Sequence, residues 1–81
     1  MKKIVFGEKK NLISKNLKIL RAKRGMTQEQ LAAKMQLLNV NIDQQMISKI
    51  ENNNRIVTDY ELCCFCKVLK ADIKELLEEI E

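Results

Sequence analysis

Apolar residues recur along the chain at the three- and four-residue spacing of α-helices, in five separate segments. The first segment runs from about Asn11 to Arg24 and carries Ile13, Leu17 and Leu20 on one stripe. Gly25 follows, and glycine is the residue best suited to the position just beyond a helix. The pattern therefore predicts a first helix that ends before Gly25.

Three further helices begin at polar residues that can cap them. Thr27 is followed three residues later by Gln30, and Thr58 by Glu61, which is the capping-box pattern. Asp43 precedes another segment and is also a favourable N-cap residue. We predict that the second, third and fourth helices start directly after these three caps.

The ends of these helices are marked less sharply. The second helix gives way at Leu37 to a connection that reaches Ile42, the third ends near Asn52, and the fourth near Leu69. A fifth helix is predicted after Asp72, and its apolar residues are Ile73, Leu76, Leu77 and Ile80. Five short helices with short connections predict an all-α, compact bundle.

Composition supports a single helical domain. The chain has 81 residues, no proline and two glycines, which favours helices over a sandwich or barrel. Residues 11–81 are predicted to form that domain. Residues 1–10, with Ile4, Val5 and Phe6 before Gly7, form an arm or short extension, for which a strand and a frayed end remain alternatives.

Charge is distributed unevenly along the chain. Residues 1–49 contain eleven Lys and Arg against three acids, whereas residues 50–81 contain four basic and eight acidic residues. The basic half suggests a polyanionic partner, although a solvated lysine face is the alternative. No apolar run is long enough to span a membrane, and no signal peptide is recognisable. We therefore expect a cytoplasmic protein with no membrane partner.

The predicted third helix has one polar face that lacks carboxylates. Its members lie within an arc of about 140° and are Gln44, Gln45, Ser48, Lys49 and Asn52. The other side is apolar and carries Met46, Ile47 and Ile50. Glutamine can pair with adenine in a bidentate manner, lysine can donate to guanine, and serine can bond to either. The polar face therefore indicates contact with the edges of DNA bases.

Motifs along most of the chain resemble the phage-repressor and Cro family, also called the XRE family. The segments TQEQLAAKM and IDQQMISKIEN are similar to its helix-turn-helix, and the flanking elements are LKILRAKRGMTQ, ENNNR and TDYELCCFCKVLKADIKELL. The resemblance extends from about Leu12 to Leu77. It implies a five-helix, lambda-repressor-like domain that regulates transcription, as a repressor, by binding palindromic double-stranded operators as a homodimer.

The resemblance also implies roles for individual residues. Base contacts fall on Gln44, Gln45 and Lys49, with Ser48 at a base or a phosphate. The DNA backbone contacts implied are those of Gln28, Asn52, Asn54 and Arg55. Gln28 has a plain alternative as an exposed first-turn residue, and Asn54 has one as a turn-former. Finally, Arg21 and Glu51 are expected to form an ion pair that is at least partly buried.

The chain departs from the family at two places. The connection Leu37-Leu38-Asn39-Val40-Asn41 makes the turn about five residues longer than the usual tight turn, with an extension of the second helix as one alternative. Lys70 stands where the family often has glycine after the fourth helix. This second departure affects the geometry of one helix cap.

Other functions are less well supported by the sequence. With no histidine, no nucleophile–base pair and no phosphate loop, the chain is not expected to be an enzyme or to hold a metal or cofactor. Cys63 and Cys66 are expected in the core and Cys64 partly exposed, with a redox or metal sensor as the alternative. The competing function is a protein-interaction module that regulates a partner protein, for which the acidic C-terminal residues Glu75, Glu78, Glu79 and Glu81 could form the interface.

Overall fold

The computed structural model describes residues 9–78, and these residues contain five α-helices and no strand. The helices are α1 (Ser14–Lys23), α2 (Gln28–Leu37), α3 (Gln44–Glu51), α4 (Asp59–Leu69) and α5 (Ile73–Leu76). The predicted all-α bundle is therefore confirmed. Within the same residues, no helix is long and apolar enough to cross a membrane.

The capping residues set the starts of α2, α3 and α4 as predicted. Thr27 accepts a hydrogen bond from the Gln30 amide at 3.1 Å, and the Gln30 side chain accepts one from the Thr27 amide at 2.9 Å. Thr58 and Glu61 form the same reciprocal pair at the start of α4. Asp43 accepts from the backbone of α3. These bonds satisfy N–H groups that a helix end otherwise leaves without a partner.

The long connection between α2 and α3 is anchored rather than loose. Asn39 adopts a left-handed conformation with φ of 62°, which turns the chain back after α2. The Val40 amide then donates to the Met35 carbonyl at 3.2 Å. Val40 and Ile42 are both buried in the core. The extra residues thus add two apolar anchors directly before α3 and fix where it begins.

The core draws on all five helices and on this connection. Its members are Ile13, Leu17, Leu20, Leu31, Ala32, Met35, Val40, Ile42, Ile47, Ile50, Phe65, Leu69 and Leu76. Helix α3 packs against both α1 and α2, while α5 packs against α1 and α4. Burying this apolar surface is the main stabilising contribution to such a bundle. Because α3 buries only its inner side, its outer face is left to solvent.

Helix α5 is shorter than predicted. It ends at Leu76, and Leu77 already has an extended conformation. The reason is a long-range pairing, because the Glu78 amide donates to the Leu12 carbonyl at 2.7 Å and the Asn16 side chain donates to the Leu76 carbonyl at 3.1 Å. Ile80, expected on this helix, lies outside the described residues.

The expectation that Cys63 lies in the core is wrong. The buried stripe of α4 is formed by Glu61, Phe65 and Leu69, and Cys63 is on the exposed side of that helix. Cys64 and Cys66 are half-buried and pack against the core. Burial raises the pKa of Cys66, and the negative charges of Cys63, Asp72 and Glu75 raise it further because they oppose a thiolate. The Cys66 thiol is therefore held in its protonated, less reactive form.

Lys70 keeps the left-handed geometry that glycine would adopt after α4. Its φ is 52°, and the following amide, that of Ala71, donates to the Cys66 carbonyl at 3.0 Å. Arg24, beyond the end of α1, donates through Nε to the Leu69 carbonyl at 2.8 Å. A cation at this position satisfies a terminal carbonyl and opposes the negative end of the helix dipole.

Candidate nucleic-acid interface

The outer face of α3 presents polar side chains in a row. Gln45, Lys49 and Asn52 are exposed, and successive members are separated by about one helical turn. Gln44 and Ser48 are half-buried, and Gln44 is bonded to Gln28 of α2. The structure therefore brings the five predicted residues of this face together. Their side chains offer amide, ammonium and hydroxyl groups without a carboxylate among them.

Gln28, at the start of α2, is bonded to residues at both ends of α3. Its Oε1 accepts from Gln44 Nε2 at 2.6 Å, and its Nε2 donates to Glu51 Oε1 at 2.9 Å. A side-chain amide that uses both of its groups in this way has a fixed orientation. Gln28 therefore orients the amide of Gln44 and ties the two helices together at the interface.

Arg21 and Glu51 join α1 to the end of α3. Arg21 Nε donates to Glu51 Oε2 at 2.7 Å, and Nη2 donates to Oε1 at 3.1 Å, which is a bidentate geometry. Arg21 Nη1 also donates to the Met26 carbonyl at 2.8 Å. The Glu51 side chain is only 3% exposed and that of Arg21 15%. The hydrogen bonds that Arg21 donates to Glu51 raise the pKa of Arg21.

An open depression lies between the beginnings of α2 and α3. It is lined by Arg21, Met26, Thr27, Gln28, Glu29 and Gln44. The first N–H groups of α2 point toward this end of the helix, where the helix dipole is positive. Such a site can accept an anionic oxygen.

In the loop after α3, two of the predicted contact residues are exposed and the third is bonded within the protein. Asn52 and Asn54 are exposed, but Arg55 is engaged within the protein. Arg55 Nη1 and Nη2 donate to the two carboxylate oxygens of Glu61, each at 2.9 Å, and Nη1 also donates to the Ile56 carbonyl. The guanidinium of Arg55 therefore holds the loop to the start of α4.

Three residues that shape this region were missed in the sequence. Asn11 donates from Nδ2 to the carbonyls of Ile50 and Arg55, both at 3.0 Å. Asn53 accepts at Oδ1 from two amides of the N-terminal segment. Glu61 was recognised only as a cap. The contacts of Asn11 and Asn53 join residues about forty positions apart, so no local sequence pattern indicates them. The Arg55–Glu61 pair could have been predicted, because the arginine lies six residues before a capping glutamate.

The ion pair at Glu61 predicts a specific loss of stability in acid. Hydrogen bonds from Arg55, opposed by burial, lower the pKa of Glu61 below its ordinary value. A carboxylate with a lowered folded-state pKa stabilises the fold above its unfolded pKa, and this stabilisation is lost as the pH falls through the folded pKa. In melts between about pH 7 and pH 3, we expect wild type to exceed Glu61→Gln in Tm at neutral pH and to lose that advantage in acid.

The acid titration of Glu78 does not affect this comparison. Its pKa is also lowered, first by the hydrogen bond from Lys9, and this ion pair is present in both proteins. Its acid titration therefore cancels in the comparison. A difference in Tm between wild type and Glu61→Gln that stays constant across the pH range would contradict the assigned role of the Glu61 carboxylate.

The profile of the helix-turn-helix family matches residues 17–76. The fold is similar to the crystal structure of the DNA-binding domain of BldD, with a TM-score of 0.71 and 19% sequence identity over 91% of this chain and 99% of that one. At this level of identity the similarity shows a shared fold. No curated protein sequence matches the chain.

Proposed function

The chain belongs to the helix-turn-helix family of DNA-binding regulators, and from this premise we propose that it binds a specific double-stranded DNA sequence and represses transcription. One observation carries the proposal. The outer face of α3 is polar, free of carboxylates and held in place by Gln28 through its bonds to Gln44 and Glu51. A helix of this kind fits the major groove, where each base pair presents its own pattern of donors and acceptors.

Base contacts in this proposal come from the beginning of α3. Residues at the N-terminal end of such a helix usually meet base edges. Gln44 and Gln45 occupy that end, and Lys49 lies one turn further along the same face. Ser48 is beside them and contacts either a base or a phosphate. Gln44, oriented by Gln28, enters the groove with less freedom than the exposed Gln45.

Backbone contacts would flank α3 on both sides. On one side, Gln28 and the first N–H groups of α2 meet a phosphate at the depression between the two helices. On the other side, Asn52 and Asn54 contact the backbone from the exposed loop. Because the guanidinium of Arg55 is bonded to Glu61, we assign Arg55 mainly to holding that loop in position.

The same proposal includes a homodimer on a palindromic operator, in the cytoplasm. It is supported by the family resemblance and by the length of α3, whose 8 residues extend about 12 Å and therefore reach no more than one half-site. Two such helices would enter the major groove about one helical turn of DNA apart, or roughly 34 Å. The half-site spacing in a selected DNA sequence would reveal this arrangement.

A protein-interaction module remains the second candidate. Leu37, Ile56 and Tyr60 are large apolar or aromatic residues that are exposed in the structure. Exposed side chains of this type are common at protein interfaces. However, they do not lie on the outer face of α3, where the polar residues favour DNA. A selection experiment with random duplex DNA separates the two functions, because an interaction module would enrich no sequence.

The selected DNA then provides the test of base contact. We expect Gln44→Ala and Gln45→Ala each to weaken binding to that sequence by roughly 1–3 kcal/mol, because a bidentate pair with a base is lost. Titration with labelled cognate and random duplexes, at one salt concentration, gives the two affinities. Binding to random DNA should change little, so preference at particular base pairs should relax.

The two variants also control each other. Gln45 is exposed, so its replacement should leave the melting temperature unchanged, whereas Gln44→Ala also removes the bond to Gln28. Wild-type affinity for the selected sequence in both variants, with the fold intact, would show that the outer face of α3 does not contact bases.

A further inference from the structure

The segment that precedes α1 is fastened to the end of α3 and the loop that follows it. Asn53 Oδ1 accepts from the amides of Lys10 at 2.9 Å and Asn11 at 3.2 Å. In the opposite direction, Asn11 Nδ2 donates to the carbonyls of Ile50 and Arg55. Four hydrogen bonds therefore fix the backbone at residues 10 and 11 against the loop that carries Asn52 and Asn54.

The backbone conformation of Asn53 suits this role. Its φ of 59° is in the left-handed region, which asparagine tolerates better than most residues. Because it lies between Asn52 and Asn54, the segment at Lys10 is adjacent to the same loop that the proposed function places on the DNA backbone. The position of the Lys10 backbone relative to α3 is therefore set by these hydrogen bonds.

The charges around the segment at Lys10 favour the binding of an anion. Lys10 is exposed. Three carboxylates on the elements that surround the segment are each bonded to a cation: Glu51 to Arg21, Glu61 to Arg55, and Glu78 to Lys9. The neighbouring Lys9 thus has a carboxylate partner within the protein. Paired carboxylates repel a phosphate less than isolated ones, because the cation cancels most of their field at a distance.

We propose that Lys10 contacts a phosphate of bound DNA, and that Asn53 and Asn11 are the positioning residues that hold it there. The inference rests on the proposed function and extends its surface beyond the helix-turn-helix, to the segment before α1. A lysine held next to the loop would add a phosphate contact beside those of Asn52 and Asn54. Contacts of this kind fix the register of a protein on the duplex without reading its sequence.

The salt dependence of binding tests the proposal. Each phosphate neutralised contributes a slope of about −0.9 to log K against log salt for B-DNA. We expect Lys10→Ala to make the slope shallower by about this amount, so that its loss of affinity between about 50 and 200 mM salt is roughly threefold smaller than that of wild type. The change should be the same on selected and on random duplexes.

Lys74→Ala is the matched control. It removes the same charge from an exposed residue of α5, a helix that packs against α1 and α4. We expect it to retain the wild-type slope. If Lys10→Ala and wild type share one slope, Lys10 is a solvated lysine and the proposal is overturned. If wild type binds no duplex at any salt concentration, the proposed function fails and this inference fails with it.

Asn53→Gly tests the positioning role. Glycine keeps the left-handed backbone but removes the Oδ1 acceptor. We expect its slope to approach that of Lys10→Ala, and the double variant to have the same slope as Lys10→Ala alone. A merely structural role would lower the melting temperature and leave the slope unchanged, and that result would overturn the assignment of Asn53.

Discussion

The Arg21→Met variant is expected to melt far below the wild-type protein. Glu51 accepts two bonds from the Arg21 guanidinium, and its side chain is 3% exposed. Without Arg21, the buried charge of Glu51 would keep the hydrogen bond from the neutral Gln28 amide but would have no cation beside it. Stranding a buried charge costs about 3–5 kcal/mol. For a domain of this size each kcal/mol corresponds to roughly 4–8 °C in Tm, so the fall should exceed about 10 °C.

The other variants of the pair identify the cause. Glu51→Leu removes the opposite partner and should also destabilise, because the Arg21 side chain is itself mostly buried. In the double variant neither charge is stranded, so stability should recover in part. Three thermal melts measure these effects. Single losses under about 1 kcal/mol that simply add would show that the pair behaves like two exposed charges.

Replacing Arg55 by methionine is expected to have the second largest effect on stability, a loss of about 2–4 kcal/mol. Both carboxylate oxygens of Glu61 accept from this guanidinium, and the side chain of Glu61 is 11% exposed. With Arg55 absent, the bond from the Thr58 amide remains but supplies no full charge. Denaturant unfolding would measure the loss, at a pH where Glu61 is ionised.

Two further variants distinguish an effect of Arg55 on stability from a contact between Arg55 and DNA. In Arg55→Met with Glu61→Gln, the capping acceptor remains and no charge is buried alone, so stability should recover in part. Arg55→Lys retains the charge but loses the bidentate fork. If Arg55 only holds the loop, affinity for random DNA should follow stability across these variants. Weak binding by a double variant of recovered stability would instead indicate that Arg55 reaches a phosphate.

The starts of the helices could be predicted because their causes are local. Each depends on a side chain that bonds to an amide within three residues, as at Thr27, Asp43 and Thr58. The polar face of α3 is equally local, since the helical repeat alone places Gln45 and Lys49 together. The same reasoning could not give the end of α5, which depends on pairing between Glu78 and Leu12 across 66 positions.

The error at Cys63 has a different origin. The resemblance to a family aligned this residue with a core position, while the register of α4 is set by Phe65 and Leu69. Cys63 is two residues before Phe65, which is about 200° away around the helix. A helical wheel centred on Phe65 would have placed it outside. The supports of the site at Asn11 and Asn53 could not be found in this way, because their partners are distant in sequence.

The two bonds of Gln28 have a consequence for any attempt to transfer the proposed DNA specificity to another protein. A new operator preference is commonly sought by grafting the outer residues of one helix onto another scaffold. Here Gln44 takes its orientation from a residue on α2, and that residue is in turn bonded to Glu51 and, through it, connected to Arg21. The portable unit is therefore not α3 alone. A transfer should include the residues at positions 21, 28, 44 and 51 together. Without Gln28 and its partners, the transferred Gln44 would lose the hydrogen bond that orients its side chain.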